Sequence, residues 1–268
     1  MKYKLLSALM ATGTVLGVLC SANQASATTN GSDVSEQEYN QQYSNSGNDE
    51  PKLTYDQWQF FNDFVNHERL MINQDDLPEV DLNNLRWESG ANDVELFFIN
   101  EGATYRNQLF YSVDGGNTKE MVFNDVSSPL SILPEEDGSL ALGQGVNLGN
   151  FAGNTFIEFF IKSNGHNGGR NFFGFDTQQN PDGFNHLLGY ELEFGGEKFV
   201  MLGFEDIWGG GDQDYNDNVM VVRGLTHTPN LPSNSVSTPE PGTLLGTLFA
   251  FGVMGLTSVQ KRQGKKSY

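Results

Sequence analysis

Between residues 203 and 218 the chain reads Gly-Phe-Glu-Asp-Ile-Trp-Gly-Gly-Gly-Asp-Gln-Asp-Tyr-Asn-Asp-Asn. Asp212, Gln213, Asp214, Asn216, Asp217 and Asn218 place six oxygen-bearing side chains in seven residues. Carboxylates this close repel one another unless they stay solvated or a cation neutralises them. Carboxylate, amide and backbone oxygens suit Ca²⁺, which accepts a flexible number of hard ligands. Three glycines before Asp212 let the backbone fold tightly and turn its carbonyls inward. Asp212, Asp214 and Asn216 keep the first, third and fifth positions of a helix-loop-helix calcium loop. The sixth position is Asp217 rather than Gly, and the twelfth is Arg223 rather than Glu, so that motif is excluded.

Two readings of this stretch stand. In one, Asp212, Asp214, Asn216 and Asp217 ligate Ca²⁺, with Glu205 and Asp206 as further candidate ligands. In the other, the side chains cap turns of a surface hairpin. Asp176, Asn180 and Asp182 form a second oxygen-rich loop, which reads more simply as a polar turn. His186 is a possible base beside Glu205 or Asp206, but no nucleophile is marked near it, and a structural role is the simpler reading. Trp208 could stack on a sugar ring or plug the end of the domain. No trustworthy Ser-His-Asp set, phosphate loop or zinc spacing is present.

The elements that position these residues are mostly strands. Residues 94–100, 107–113, 156–162, 187–194, 198–204 and 218–223 are apolar or aromatic runs. Asp114-Gly115-Gly116-Asn117 marks a turn, and Gly195-Gly196-Glu197 marks a tight hairpin. Short strands with glycine turns and no βαβ alternation predict an all-β domain over 82–224, a β-sandwich or jelly roll. One amphipathic helix is expected before it, within 53–81. Thr54 and Gln57 fit a capping box, and Trp58, Phe61, Val65 and Ile72 fall near one face. Residues 28–52 are rich in Asn, Ser, Gln and Glu with few aliphatics, so disorder is expected there. Residues 225–238 read as a Pro/Ser/Thr/Asn linker.

The Gly-Phe-Glu-Asp and Gly-Gly-Gly-Asp-x-Asp-Tyr-Asn-Asp segments resemble the close of a bacterial family, domain of unknown function 4114. Phe98-Ile99-Asn100-Glu101-Gly102-Ala103, Tyr105-Arg106-Asn107 and Asn180-Pro181-Asp182-Gly183 with His186 extend the resemblance over residues 85–223. It implies a β-rich extracellular module with possible calcium binding, and names no substrate.

The two ends carry addresses. Lys2 and Lys4, an uncharged run over 5–19 and Ala25-Ser26-Ala27 read as a secretory signal over 1–27, with Ala25 and Ala27 at the cleavage site. Pro239-Glu240-Pro241 precedes an uncharged stretch over 242–259 and then Lys261, Arg262, Lys265 and Lys266. Such a stretch is at the short end of a membrane span, with its basic tail on the cytoplasmic side. Residues 239–268 resemble the PEP-CTERM sorting signal of exopolysaccharide-producing bacteria. The resemblance implies a transmembrane sorting helix and processing near Pro239, Glu240 and Pro241 by a membrane protease, the exosortase.

The whole chain holds 15 basic and 34 acidic residues. Six of the basic residues and no acid lie within 1–27 and 242–268, so residues 28–241 carry 9 against 34, a net of −25. A surface so acidic repels nucleic acid and anionic lipid and invites cations. Cys20, the single cysteine, lies in the leader, so a mature chain has no disulfide. Together these features predict a non-catalytic exported protein of the cell surface or extracellular matrix, calcium-stabilised and associated with extracellular polysaccharide. The competing prediction is a carbohydrate-active enzyme or glycan-binding module, drawing on Glu205, Asp206, Asp212, Asp214 and Trp208.

Overall fold

Strands dominate the computed structural model, which describes residues 34–45, 50–65, 79–88 and 90–227. The leader with Ala25 and Ala27, the sorting signal with Pro239, Glu240 and Pro241, and most of the 225–238 linker lie outside the described residues. Among the described residues no helix is long and apolar enough to cross a membrane.

Eleven strands form: β1 (Arg86–Trp87), β2 (Val94–Asn100), β3 (Asn107–Ser112), β4 (Glu120–Val126), β5 (Gly145–Gly149), β6 (Thr155–Phe156), β7 (Glu158–Lys162), β8 (Phe172–Phe173), β9 (Leu187–Phe194), β10 (Glu197–Phe204) and β11 (Asn218–Arg223). They make a five-stranded sheet in the order β5-β2-β11-β10-β9, a four-stranded sheet in the order β4-β3-β7-β8, and a short ribbon of β1 and β6. Every pairing between these strands is antiparallel. The chain passes between the two larger sheets several times, as a sandwich requires.

Alternation explains the four-stranded sheet. Leu109 opposes Ile161 and Tyr111 opposes Phe159. These face inward and lie in or against the same apolar cluster as Leu96, Phe98, Leu202 and Met220 of the five-stranded sheet. Phe110 opposes Phe160 on the outer face, where Lys119 sits 4.4 Å over the Phe160 ring. In the five-stranded sheet consecutive residues of β11, Val219 to Val222, are all buried. Both faces of the sheet are therefore covered at β11, which is why that strand reads as an unbroken apolar run. Gly195 and Gly196 join β9 to β10 with φ of 63° and 86°. Two successive left-handed residues are what a two-residue hairpin turn needs, and glycine adopts them without strain.

Two short helices precede the sandwich rather than one. The helix α1 (Glu36–Gln42) lies inside the stretch expected to be disordered. Ser35 and Glu38 form a reciprocal capping box, and Tyr39 and Tyr43 fall one turn apart. Tyr39 is buried, stacks on Trp58 at 5.2 Å and donates a 2.9 Å hydrogen bond to Leu53 O. Burial of these rings supplies the apolar area that the polar composition conceals. The helix α2 (Tyr55–Asn62) starts at the expected Thr54–Gln57 capping box but ends at Asn62, not near residue 72. The amides of Phe64 and Val65 turn back to carbonyls three residues earlier, which closes the helix. Trp58 donates its indole N–H to Ile99 O at 2.9 Å, and Phe61 meets Phe199 at 4.9 Å, so α2 is pinned to the five-stranded sheet.

Candidate cation site

The candidate residues hang from the end of the β10–β11 pair. The ladder stops where Phe204 opposes Asn218, and residues 205–217 make the excursion between them. Gly210 N donates to Ile207 O and Gln213 N to Gly210 O, both at 3.0 Å, so the loop begins as two consecutive turns. Gly209, Gly210 and Gly211 have φ of 79°, 80° and 49°, and Gln213 and Tyr215 follow at 61° and 55°. Left-handed backbone costs a non-glycine residue about 1–2 kcal/mol, so strain is concentrated in this loop. The kinked path brings carboxylate oxygens of Glu205, Asp212 and Asp214 within 4.8 Å of one another.

Glu205 is fully buried. Its amide donates to His186 O at 3.0 Å and its carbonyl lies 2.9 Å from His186 Nδ1. Oε1 accepts from Tyr215 N at 2.8 Å. Oε2 is buried with no hydrogen-bond partner. It points at the glycine run, where a Cβ on Gly211 would stand 2.6 Å from it. Gly211 is thus required twice, by its φ and by this close approach. Burial, followed by the charges of Asp214 and Asp212, pushes the Glu205 carboxyl up to about 8. Burial and then the Asp212 charge also raise Asp214. An unmatched buried acceptor costs about 1–3 kcal/mol, more when charged. Here the carboxyl faces two further carboxylates, with Asp214 in side-chain hydrogen-bonding reach of it, so the group needs a proton or a cation to neutralise it, and its oxygens fit a hard cation. Asp212 is exposed and Asp214 half-buried, which leaves the trio open to solvent on the Asp212 side.

Of the other predicted acidic ligands, Asp206 and Asp217 do not join this group. Asp206 is buried; its amide donates to Asp217 Oδ2 at 2.7 Å and its Oδ2 accepts from Asn107 Nδ2 at 2.7 Å. Burial raises Asp206 to about 6 and Asp217 to about 9, each countered by hydrogen bonds. Asn216 donates its amide to Asp214 Oδ1 at 3.2 Å and accepts from Gly102 N at 3.0 Å. These three residues tie the base of the loop to residues 102–107. Nearby Glu101, buried and pushed up to about 9 mainly by desolvation, is an acid that residue spacing did not single out. Ser131 Oγ lies 2.9 Å from Glu101 Oε2, 2.9 Å from Ser128 O and 3.1 Å from Leu133 O. One hydroxyl proton serves one of these oxygens, and a protonated Glu101 supplies the second.

His186 and Asp182 form a strut rather than a catalytic pair. The His186 ring stacks on Phe173 at 3.9 Å and 10°. Asp182 Oδ2 accepts from Gly209 N at 2.7 Å and lies 2.8 Å from His186 Nε2. Burial would raise Asp182, but the Gly209 and Phe184 amides and His186 outweigh it and hold the carboxyl below its usual range. The strut anchors the first glycine of the loop. Ile207 and Trp208, just before it, are 49% and 58% exposed.

Among curated proteins, none matches the chain. Among solved structures, a high-affinity mannose-binding lectin of Ralstonia solanacearum aligns at 18% identity, over 51% of this chain and 92% of its own, with a TM-score of 0.27. The chain is similar, over residues 151–224, to the family model described as Domain of unknown function (DUF4114), and that span includes β7 to β11, the Asp182–His186 strut and the whole acidic loop.

Proposed function

We propose that the domain is a non-catalytic binding and scaffolding module that holds Ca²⁺ at Glu205, Asp212 and Asp214. In this reading it is exported and works at the cell surface or in an extracellular polysaccharide matrix. The observation that carries the metal is the buried, unpartnered Glu205 Oε2 facing two more carboxylates. One carboxylate oxygen from each of three acids lies within 4.8 Å of the others, close enough for a single ion to be ligated by all three. Asp206, Asn216 and Asp217 then act as the base of the loop and hold its shape.

Thermal unfolding tests the metal. At free Ca²⁺ about 100 times the dissociation constant the folded state gains about 2.7 kcal/mol over the chelated protein. An unchanged melting temperature between Ca²⁺ and chelator removes the proposal. Export rests on the two terminal addresses, with an exosortase-type protease as processing partner and the membrane as a transient anchor. Mass spectrometry of the protein from the producing cells should find a start at Thr28 and an end near Pro241. A chain that keeps both residues 1–27 and 242–268 would contradict it.

A further inference from the structure

We infer that the open side of this cation site is a saccharide-binding site. A neutral sugar would offer two adjacent hydroxyls to the ion and lay its ring on Trp208. This rests on the cation reading above and deepens it.

Burial across the trio is graded. Glu205 is enclosed, Asp214 is half-buried and Asp212 is exposed. An ion there would be gripped from the protein side and bare on the Asp212 side. Ca²⁺ takes about six to eight oxygens, and three carboxylates leave several positions for oxygens from elsewhere. A pair of adjacent hydroxyls fills two of them and replaces two waters at once.

Exposed apolar surface lies on the same loop as the trio. Trp208 is the most exposed of the large apolar side chains among the described residues, and Ile207 beside it is nearly as exposed. Ile207 Cβ would lie 3.5 Å from a Cβ on Gly211, the glycine that Glu205 Oε2 faces, so this apolar edge abuts the trio. The platform is also held in place. The Ile207–Gly210 turn closes on a 3.0 Å hydrogen bond, and Gly209 N is tied to the buried Asp182 at 2.7 Å. With the turn's backbone tied down, only the Trp208 side chain has to be ordered on docking.

Charge selects the ligand. Three carboxylates around one divalent ion leave one negative charge, on a domain that is already strongly acidic. Uronate chains and anionic lipid surfaces are therefore repelled. Sugar hydroxyls are neutral, ligate Ca²⁺ through oxygen, and present C–H faces that pack on indole.

The test uses the protein exported from the full chain, probed with a neutral galactomannan, with alginate and with phosphatidylserine vesicles. Galactomannan should retard the protein in affinity electrophoresis with Ca²⁺ and not with chelator. Trp208→Ala should lose about tenfold or more in galactomannan affinity while keeping the calcium-dependent rise in melting temperature. Asp212→Asn should lose both. The inference is overturned if galactomannan does not bind, if it binds equally in chelator, if Trp208→Ala binds as wild type, or if alginate or vesicles bind instead. A wild-type melting temperature indifferent to Ca²⁺ would overturn the cation reading itself. A normal calcium response without galactomannan binding would overturn only the saccharide.

Discussion

The loop over residues 176–186 and the loop over residues 205–217 look alike in sequence and differ in chemistry. Both crowd acids and amides between strands. In the first, the side-chain oxygens meet donors. Asp176 accepts from Gln178 N at 2.9 Å and Gln179 Nε2 at 3.2 Å, Asn180 from Gly174 N at 2.8 Å, and Asp182 from Phe184 N at 3.1 Å as well as from Gly209. In the second, Glu205 has one oxygen met and one orphaned. The consequence is a change of sign. Asp182 is held below the ordinary carboxylate range by its donors, whereas Glu205 is pushed above it by burial and like charge. Oxygen density by itself therefore does not separate the two loops. What sets the second apart is a buried oxygen without a donor that lies within 4.8 Å of two further carboxylates.

The sharpest break in this comparison comes from Asp182→Ala. It strips the buried partner from His186 and Gly209 N, and such losses cost about 3–5 kcal/mol. Urea unfolding should find that loss with and without Ca²⁺. A loss confined to the calcium-loaded protein would mean that the first loop also serves the ion. Glu205→Gln should do the reverse. In chelator the carboxyl, pushed up to about 8, is already largely protonated at neutral pH, so Gln replaces a neutral group and leaves stability nearly unchanged, while the calcium-dependent gain of about 2.7 kcal/mol disappears. If Glu205→Gln instead unfolds the chelated protein, the two loops are built alike after all.

Glu101 sharpens the contrast through pH. Its folded value, about 9, lies above the ordinary carboxylate value. The folded chain therefore holds a proton that the unfolded chain has already released. Its stabilisation is complete below the unfolded value near 4.3 and is lost as pH rises through about 9. The slope per proton is at most about 1.4 kcal/mol per pH unit. In chelator, stability should fall from pH 6 to pH 9, and Glu101→Gln should make that fall shallower. An unchanged slope would show that Glu101 is ionised in the folded state. The smallest effect concerns strain. Gln213→Gly relieves a left-handed residue and should stabilise the chelated protein by about 0.5–1 kcal/mol in urea melts. A loss there would mean that the Gln213 side chain is needed by the loop.

Much of the sandwich was legible because its central strands are buried on both faces. Residues 94–100 and 218–223 coincide with the central strands β2 and β11, whose apolar runs leave the period in little doubt, and residues 187–194 coincide with the edge strand β9, where buried Tyr190 and Leu192 alternate with Glu191 and Glu193. The strands that escaped notice are two-residue pieces, such as β1 and β8, or polar and glycine-containing edges. In β4, Met121 is exposed and only three of its seven residues are buried, and β5 is Gly-Val-Asn-Leu-Gly. The helix α1 was hidden by its composition, although its Ser35–Glu38 box and the Tyr39–Tyr43 spacing were there to be read. At the site, Asp212 and Asp214 stood out by spacing. Nothing in the spacing separates Glu205, which joins them, from Asp206, which turns away to Asn107 and Asp217.

Residue order alone determined the all-β class, the tight Gly195-Gly196 hairpin, the acidity of the domain and the presence of one oxygen-dense loop. These follow from periodicity, backbone sterics and charge, which are local or additive properties. Only the tertiary structure decided which carboxylates come together, which are met by amides, and that Trp208 is exposed to solvent. Those depend on groups brought together from β10, the loop and residues 182–186, and on a burial that no single stretch of chain can specify.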